Sequence, residues 1–170
     1  NDNSKDSLIN ILETGTARGF SSICMAKALK ENNCNARIVT FDLLPHETPF
    51  YWNCIEDLER KKSRQEILYP WKDLCEYICF VQGDTLTQLP KIKMERVNFA
   101  FLDGAHDYNS VMFEFSHLKN RQISGDIIVF DDYNMDAFPG LVKGIDEICE
   151  ENKYEKKIKS LGNFRSYVVA

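Results

Sequence analysis

Residues 8–19 read LINILETGTARG, an apolar run followed directly by a loop that contains Gly15 and Gly19. The loop leads into a segment whose apolar residues recur every three or four positions, as on one face of a helix: Phe20, Ile23, Cys24 and Ala28. Between a strand and a helix, glycine lets a ligand approach the backbone and leaves N–H groups free to face it. The stretch therefore predicts a strand–loop–helix unit with a candidate binding loop, although such a loop also occurs as a plain tight turn.

Outward from this unit, strand-like and helix-like segments alternate along the chain. Four further apolar runs have the length of buried strands: Ala36 to Asp42, Tyr77 to Gln82, Val97 to Asp103 and Asp126 to Asp131. Helical spacing follows the last two of these runs, at Val111, Phe115 and Leu118 and at Leu141, Ile145, Ile148 and Cys149. Apolar strands that alternate with helices are typical of a parallel sheet covered on both faces. The pattern predicts an α/β fold of the doubly wound, Rossmann-like type.

The end of the chain departs from this alternation. Two strand-like runs, Tyr154 to Leu161 and Phe164 to Val169, are separated by Gly162 and Asn163, a two-residue signal for a hairpin turn. We therefore predict a mostly parallel sheet that finishes with an antiparallel hairpin.

Each predicted parallel strand ends in, or just before, an acidic residue. These residues are Glu13, Asp42, Asp84, Asp103 and the pair Asp131–Asp132. In open α/β sheets, ligands bind outside the carboxyl ends of the strands. A carboxylate after the second strand suits a ribose, because it can accept hydrogen bonds from two neighbouring hydroxyls, and one after the third strand suits an adenine amine. We interpret these acids as a ligand site; for Asp42 the alternative is an ordinary exposed loop aspartate.

Residues 43–72 form a connection much longer than a simple crossover needs. They contain three prolines, an aromatic cluster at residues 50–52, and a charged middle from Glu56 to Arg64 that resembles a solvated helix. We predict that this segment is a lid over the substrate. Plain packing of its aromatic side chains against the sheet is the alternative.

Length and composition limit the class of protein. The chain has 170 residues, of which 44% are hydrophobic, and this predicts one domain over residues 1–170 with its own core. A net charge of −5 argues against nucleic acid as a partner, since phosphate binding needs a basic surface. No apolar run has the length of a membrane span, and the first residues show no signal-peptide pattern and no initiator Met. We expect a trimmed, soluble, cytoplasmic chain without a membrane partner, and a homo-oligomer is left open.

Six cysteines are present, at positions 24, 34, 54, 75, 79 and 149. Cys75 and Cys79 have no second pair with which to complete a zinc site. In a chain with a core of its own and no secretory pattern, we expect reduced and mostly buried thiols rather than disulfides.

The loop Glu13-x-Gly15-x-x-x-Gly19, together with the terminal hairpin, resembles the class I S-adenosylmethionine-dependent methyltransferases over nearly the whole chain. The segments DGAHDY at 103–108 and DDY at 131–133 narrow the resemblance. They are similar to the metal-dependent sugar O-methyltransferases related to macrocin O-methyltransferase.

Two positions separate this chain from the catechol-type relatives. His106 stands where those enzymes have a lysine, and Asp132 stands where they have an asparagine. The histidine matches the sugar O-methyltransferases instead. Members of the family usually carry helices before the first strand, whereas only about seven residues precede it here.

The resemblance implies a seven-stranded sheet in the order 3-2-1-4-5-7-6. It also implies that the glycine loop faces the methionine part of the cofactor, Asp42 its ribose and Asp84 its adenine. The full set of implied cofactor-binding residues is Glu13, Gly15, Thr16, Gly19, Asp42, Gly83, Asp84 and Asp103.

The implied reaction gives roles to the remaining polar residues. Asp103, Asp131 and Asp132 come from neighbouring strands and are the hard oxygen ligands that Mg²⁺ prefers. A metal there would lower the pKa of an acceptor hydroxyl. His106 would then take the proton, with Asp103 as the second catalytic residue, because an ordinary imidazole titrates near pH 6.5. Helix capping by Asp131 and Asp132, and a purely structural His106, are the alternatives.

We therefore predict an O-methyltransferase that uses S-adenosylmethionine and Mg²⁺ on a small-molecule hydroxyl, for example of a sugar. One alternative is an NAD(P)-dependent oxidoreductase, which the missing third glycine of the dinucleotide fingerprint disfavours. The other is a truncated, non-catalytic cofactor-binding domain.

Overall fold

The structure is a computed structural model that describes residues 8–52, 60–162 and 165–170. Its strands are β1 (Ile9–Thr14), β2 (Ala36–Asp42), β3 (Ile78–Gln82), β4 (Phe99–Leu102), β5 (Ile127–Phe130), β6 (Lys157–Gly162) and β7 (Arg165–Val169). They form one sheet in the order β3-β2-β1-β4-β5-β7-β6. The first five strands pair in parallel, and β7 pairs antiparallel with both β5 and β6. The predicted fold class and strand order are confirmed.

The helices lie between the strands. They are α1 (Phe20–Glu31), α2 (Arg64–Leu68), α3 (Lys72–Cys75), α4 (Thr85–Gln88), α5 (Tyr108–Leu118) and α6 (Pro139–Asn152). Two 3₁₀ turns, Tyr69–Trp71 and Leu89–Lys91, connect α2 to α3 and follow α4. In the part of the chain that the structure describes, no helix is both long and apolar enough to cross a membrane.

The apolar strands bury both of their faces because successive side chains point to opposite sides of the sheet. On one side, Ile11 and Ile38 pack with residues of α1, α2 and α3. On the other, Leu12 and Val39 belong to a second core cluster formed with α5 and α6. Helices therefore cover both faces, and the loops at the carboxyl ends of β1 to β5 are left at one edge.

Two details of the secondary structure differ from the expectations. β6 extends through Gly162, so this glycine is a strand residue, and the turn itself, residues 163–164, lies outside the described residues. The charged middle of the 43–72 segment is not helical at residues 60–63; the helix begins at Arg64, because Ser63 and Glu66 form a capping box there. Residues 53–59 lie outside the described part.

The thiols are less buried than expected. Among the described cysteines, all free, Cys24 and Cys79 are exposed and Cys149 is buried. Cys24 lies on the outer face of α1, and Cys79 is an exposed position of β3, the edge strand of the sheet. Cys54 is outside the described residues.

Candidate active site

The glycine loop crosses the end of β1 in contact with β4. The amides of Gly15 and Thr16 both donate to the carbonyl of Phe41, at 2.9 and 3.2 Å. Gly15 has φ of +84°, and a Cβ on it would lie 1.8 Å from the backbone oxygen of Asp103. Only glycine allows this approach, which places the loop directly beside the end of β4.

Gly15→Ala should lower the free energy of unfolding by clearly more than Gly125→Ala. Gly125 shares the positive φ, +94°, but has nothing within 4 Å of a Cβ, so its substitution costs only the backbone term of about 1–2 kcal/mol. At Gly15 the collision with a backbone oxygen is added. Urea unfolding of both variants measures the difference, and equal losses would show that the loop moves away from β4 at little cost.

Glu13 and Thr16 lie beneath the loop rather than on its open side. Glu13 is fully buried and accepts hydrogen bonds from the hydroxyls of Ser21, Ser22 and Thr40. Burial raises the pKa of its carboxyl, and the three hydroxyls partly oppose that rise. Thr16 shares a hydrogen bond with Thr40 at 2.6 Å. Both side chains therefore hold the loop to α1 and β2, and cofactor contact by them stays a prediction.

Gly19 ends the loop at the N-terminus of α1. Its φ is +87°, and a Cβ there would lie 2.9 Å from the side chain of Leu68 on α2. The positive φ favours glycine at this position, and the absence of a Cβ leaves room for the side chain of Leu68. Cofactor contact by Gly19 likewise stays a prediction.

A cavity of about 390 Å³ opens on the other side of the loop. Four of the implied cofactor residues line it: Gly15, Asp42, Gly83 and Asp84. The apolar walls include Leu43, Leu44 and Leu86, which are exposed to 69%, 41% and 49% and so present bare apolar surface to a ligand. An apolar cleft with a few convergent polar groups is the usual form of a small-molecule site.

The two carboxylates in this cavity are already partly engaged. Asp84 caps α4, because its Oδ1 accepts from the amide of Leu86 at 2.9 Å. Asp42 accepts from the amides of Ala17 and Leu44 at 2.5 and 2.7 Å, and forms an ion pair of 3.1 Å with Arg64. The sequence did not predict the cap by Asp84, and a cap does not prevent the same carboxylate from facing a ligand.

Glu114 is a cavity residue that the sequence interpretation missed. This α5 side chain is only 3% exposed, and burial raises its carboxyl pKa to about 7. Thr14 donates to its Oε2 at 3.1 Å, whereas Oε1 is buried without a hydrogen bond of good geometry among the described residues. A signal was available, because Glu114 falls on the same apolar helix face as Val111 and Leu118.

Glu114→Gln should stabilise the protein at pH 8 and leave its stability nearly unchanged at pH 4. The folded state holds the Glu114 proton up to about pH 7, whereas an unfolded glutamate loses it near 4.5, so stability falls as pH rises between these values. The gain at pH 8 is at most about 3 kcal/mol, the free-energy equivalent of that pKa difference. Urea unfolding across this pH range measures it. The exposed Glu150→Gln is the control, and a Glu114→Gln curve parallel to that of the unchanged chain would contradict the prediction.

A second group of polar side chains meets beyond β4 and β5. The Nε2 of His106 lies 3.2 Å from Asp132 Oδ2 and 3.7 Å from Asp103 Oδ1. One ligand atom from each of these residues lies within 4.8 Å of the other two, an arrangement able to hold a metal ion. The structure thus brings His106 into the group with Asp103 and Asp132, while Asp131 is not part of that set.

The carboxyl of Asp103 has a raised pKa. Burial and the neighbouring carboxylates of Asp131 and Asp132 raise its pKa to about 7, against an opposing effect of His106. Asp132 also adopts a left-handed backbone with φ of +51°, uncommon for a residue other than glycine. Such crowding of acids and strained backbone is typical of functional sites.

The loop of Asp131 and Asp132 is held from the C-terminal hairpin and from α6. Tyr133 donates its amide to the carbonyl of Ser166 at 2.8 Å, and the Ser166 hydroxyl donates back to the Tyr133 carbonyl. The Tyr133 hydroxyl donates to Asp146 at 2.8 Å. Ser166 and Asp146 were not predicted, because they lie far from Asp132 in sequence; Ser166 reaches the loop through the sheet and Asp146 through helix α6.

The described part of the 43–72 segment packs against the loop side of α1. The rings of Phe50 and Trp52 are 4.1 Å apart, and the Trp52 indole donates to the carbonyl of Lys62 at 2.9 Å. A cavity of about 710 Å³ lies beside it, lined by Phe20 and Trp71 among others. The lid stays a prediction, since its centre falls outside the described residues.

Solved structures share this fold. The O-methyltransferase NovP matches with a TM-score of 0.68 at 18% identity, over 93% of this chain and 70% of its own. The O-methyltransferase TomG of Streptomyces achromogenes, solved with S-adenosylmethionine, matches with 0.66 at 18% identity, over 94% and 71%. CalS11, a TDP-rhamnose 3′-O-methyltransferase, matches with 0.64 at 16% identity, over 94% and 70%. The strand order and the strand-end site define a class I S-adenosylmethionine-dependent methyltransferase fold.

Comparison of the sequence with family models gives the same class of protein as the fold. A family model described as a methyltransferase domain matches residues 12–133, from within β1 to the loop after β5. The chain belongs to this methyltransferase domain family, as its resemblance predicted. A comparison with curated protein sequences gives no match.

Proposed function

We propose that this chain is an O-methyltransferase that transfers the methyl group of S-adenosylmethionine to a small-molecule hydroxyl with the help of a divalent cation. One observation carries the proposal: Asp103 belongs to both halves of the site. Its backbone forms the contact with Gly15 at the end of the cofactor cavity, and its side chain belongs to the group with His106 and Asp132. The methyl donor and the group that activates the acceptor would therefore meet at one residue.

The donor set fits a hard divalent cation such as Mg²⁺. Asp103 and Asp132 supply carboxylate oxygens within reach of one position, and Asp131 adds negative charge next to them. Burial and then the nearby carboxylates of Asp131 and Asp132 raise the pKa of Asp103, and a cation would favour its charged form. When bound, a cation of this kind polarises the acceptor oxygen as a Lewis acid.

The chain's own residues perform the proton transfer and the positioning. A ring nitrogen of His106 accepts the proton of the acceptor hydroxyl, and Asp132, whose Oδ2 lies 3.2 Å from Nε2, stabilises the imidazolium that results. The acceptor oxygen then forms its bond to the methyl carbon while the carbon–sulfur bond breaks, and the electron pair remains on sulfur as the neutral thioether of S-adenosylhomocysteine. The ring of Phe138, with its centroid 4.5 Å from that of His106, limits the orientations of the imidazole.

A sugar hydroxyl is the acceptor class we favour. His106 and the DDY sequence at 131–133 follow the pattern of the sugar O-methyltransferases, and CalS11, which has the same fold, acts on a TDP-rhamnose. The cluster itself lies at a partly exposed edge, with side-chain exposures of 34% for His106 and 27% for Asp132, so a polar acceptor can reach it.

Calorimetry with S-adenosylhomocysteine and with NAD tests the cofactor. We expect binding of the first and none of the second; binding of NAD alone would favour an oxidoreductase. Transfer of a labelled methyl group to a panel of nucleotide sugars, glycosides and catechols tests the reaction. Cofactor binding without transfer to any acceptor would favour a non-catalytic cofactor-binding domain.

A further inference from the structure

The cavity of about 710 Å³ beside the 43–72 segment also borders the glycine loop. Its volume is within the range of small-molecule sites, and among the described residues it has no lining residue in common with the cofactor cavity. Gly15 of the loop lines the cofactor cavity, whereas Arg18 and Phe20 line this one. We call it the α1–α2 cavity, because Ile23 of α1 and Leu68 of α2 form its buried base.

Two aromatic rings are presented to the α1–α2 cavity. Phe20 is 77% exposed and Trp71 is 47% exposed, although both lie beside the buried apolar residues of the base. Ile67 and Pro70 complete the apolar part of the lining. A contiguous apolar surface of this kind, left open to water, is typical of a binding site. Aromatic side chains bind flat rings by stacking, and nucleobases are the rings most often bound in this way.

The polar part of the lining is mainly basic. Arg18, Arg60 and Lys62 line the cavity together with one acid, Glu66. The charge of Glu66 is already offset, because its carboxylate pairs with Arg60 at 2.9 Å and accepts the amide of Ser63 at 2.8 Å. Among the lining residues, Arg18 and Lys62 therefore give a surplus of two positive charges, in a chain whose net charge is −5. A ligand group with two negative charges is the complement of this surplus.

We propose that the α1–α2 cavity is a second ligand site and that its ligand is a nucleoside diphosphate. The base stacks on Trp71 and Phe20, and Arg18 and Lys62 bind the phosphates. A nucleoside diphosphate combines a flat ring with at least two negative charges, whereas an aromatic carboxylate supplies one charge only. The site does not depend on the proposed methyl transfer, because its lining residues are separate from those of the cofactor cavity.

Calorimetry of the full chain with thymidine diphosphate and with thymidine tests the ligand. We expect the diphosphate to bind, and thymidine to bind at least about 10-fold more weakly, because it lacks the charged group. Equal affinities for the two, or tighter binding of benzoate than of the diphosphate, would overturn the proposal.

A second titration tests whether the diphosphate occupies this cavity or the cofactor cavity. Saturating S-adenosylhomocysteine should change the affinity for thymidine diphosphate by less than about 5-fold, below the usual range of coupling between two sites. Competition between the two ligands would place the diphosphate in the cofactor cavity and overturn the proposal. Failure of S-adenosylhomocysteine to bind would count against the proposed function only, and the variants below would still test the second site.

Two pairs of variants locate the site, and thermal unfolding shows that each is folded. Trp71→Leu should weaken diphosphate binding at least about 5-fold, because a stacking partner of the base is lost. Tyr69→Leu should not, because this exposed aromatic residue of the same 3₁₀ turn does not line the cavity. Lys62→Met should weaken binding by about 10-fold or more. Lys61→Met should not, because Lys61 lies over the ring of Tyr51 instead. Unchanged affinity in Trp71→Leu and Lys62→Met, or equal losses in their controls, would overturn the proposal.

Discussion

Replacement of His106 by alanine is expected to lower turnover by about 10²- to 10⁴-fold, the usual contribution of a positioned general base. His106 faces Asp103 and Asp132 across 3.7 and 3.2 Å, and its ring contacts the protein through Phe138. It lies on the loop between β4 and α5, outside both core clusters. The fold and the affinity for S-adenosylhomocysteine should therefore stay nearly unchanged.

Steady-state rates, thermal unfolding and calorimetry of the His106→Ala variant measure these three properties. The acid limb of the pH–rate profile should disappear with the base. His117→Ala is the matched control, because this histidine makes the same kind of ring contact, 4.5 Å from Phe113, away from the acidic group. If His106→Ala keeps most of its activity, proton transfer to this residue is wrong and the acceptor is activated without it.

Removal of divalent cations is expected to abolish turnover, and added Mg²⁺ is expected to restore it. Asp103 and Asp132 have no cationic partner among the described residues apart from His106, whose charge depends on protonation. Burial, and then repulsion by the neighbouring carboxylates of Asp131 and Asp132, raise the pKa of Asp103, and a bound cation would oppose both effects. The measurement is methyl transfer in EDTA followed by titration with Mg²⁺.

The Mg²⁺ concentration needed for activity should also distinguish acidic residues that bind the cation from those that do not. Asp132→Asn should raise the concentration of Mg²⁺ that gives half-maximal activity, because one ligand becomes neutral. Asp136→Asn, at an exposed position four residues further on, should leave it unchanged. Full activity in EDTA would show that these carboxylates serve the histidine or the backbone and not a cation.

The proposed cofactor side and the proposed acceptor side of the site are held in place by different contacts. The cofactor side is built on β1, β2 and α1 and is tied by the buried Glu13 to three hydroxyls. The acceptor side depends on the loop after β5, which is held by Ser166 and Asp146. Changes in the C-terminal hairpin should therefore affect acceptor activation more than cofactor binding.

The alternation of strands and helices, the parallel sheet and the terminal hairpin followed from the sequence, because burial of both strand faces demands continuous apolar runs. Strand β2 was predicted with the ends that it has, Ala36 and Asp42, and helix α1 was predicted to follow the glycine loop, as it does. The strand-end acids were also recognised from sequence alone, because the carboxyl ends of parallel strands meet at one edge. Asp42 and Asp84 line the cavity as the resemblance implied, and Asp103 lies beside His106.

Tertiary structure alone decided what these acids are bonded to. Arg64 and Asp42 are 22 positions apart, and their ion pair depends on how the 43–72 segment folds back on the glycine loop, which no local pattern encodes. Glu114 lies on the apolar face of α5, which packs against the sheet. Its carboxyl is therefore buried and lines the cavity. The sequence by itself determined which residue types lie at the carboxyl ends of the strands, because the end of a strand can be recognised from residues adjacent to it in the sequence. Burial and long-range contacts then determined their pKa values and their hydrogen-bond partners.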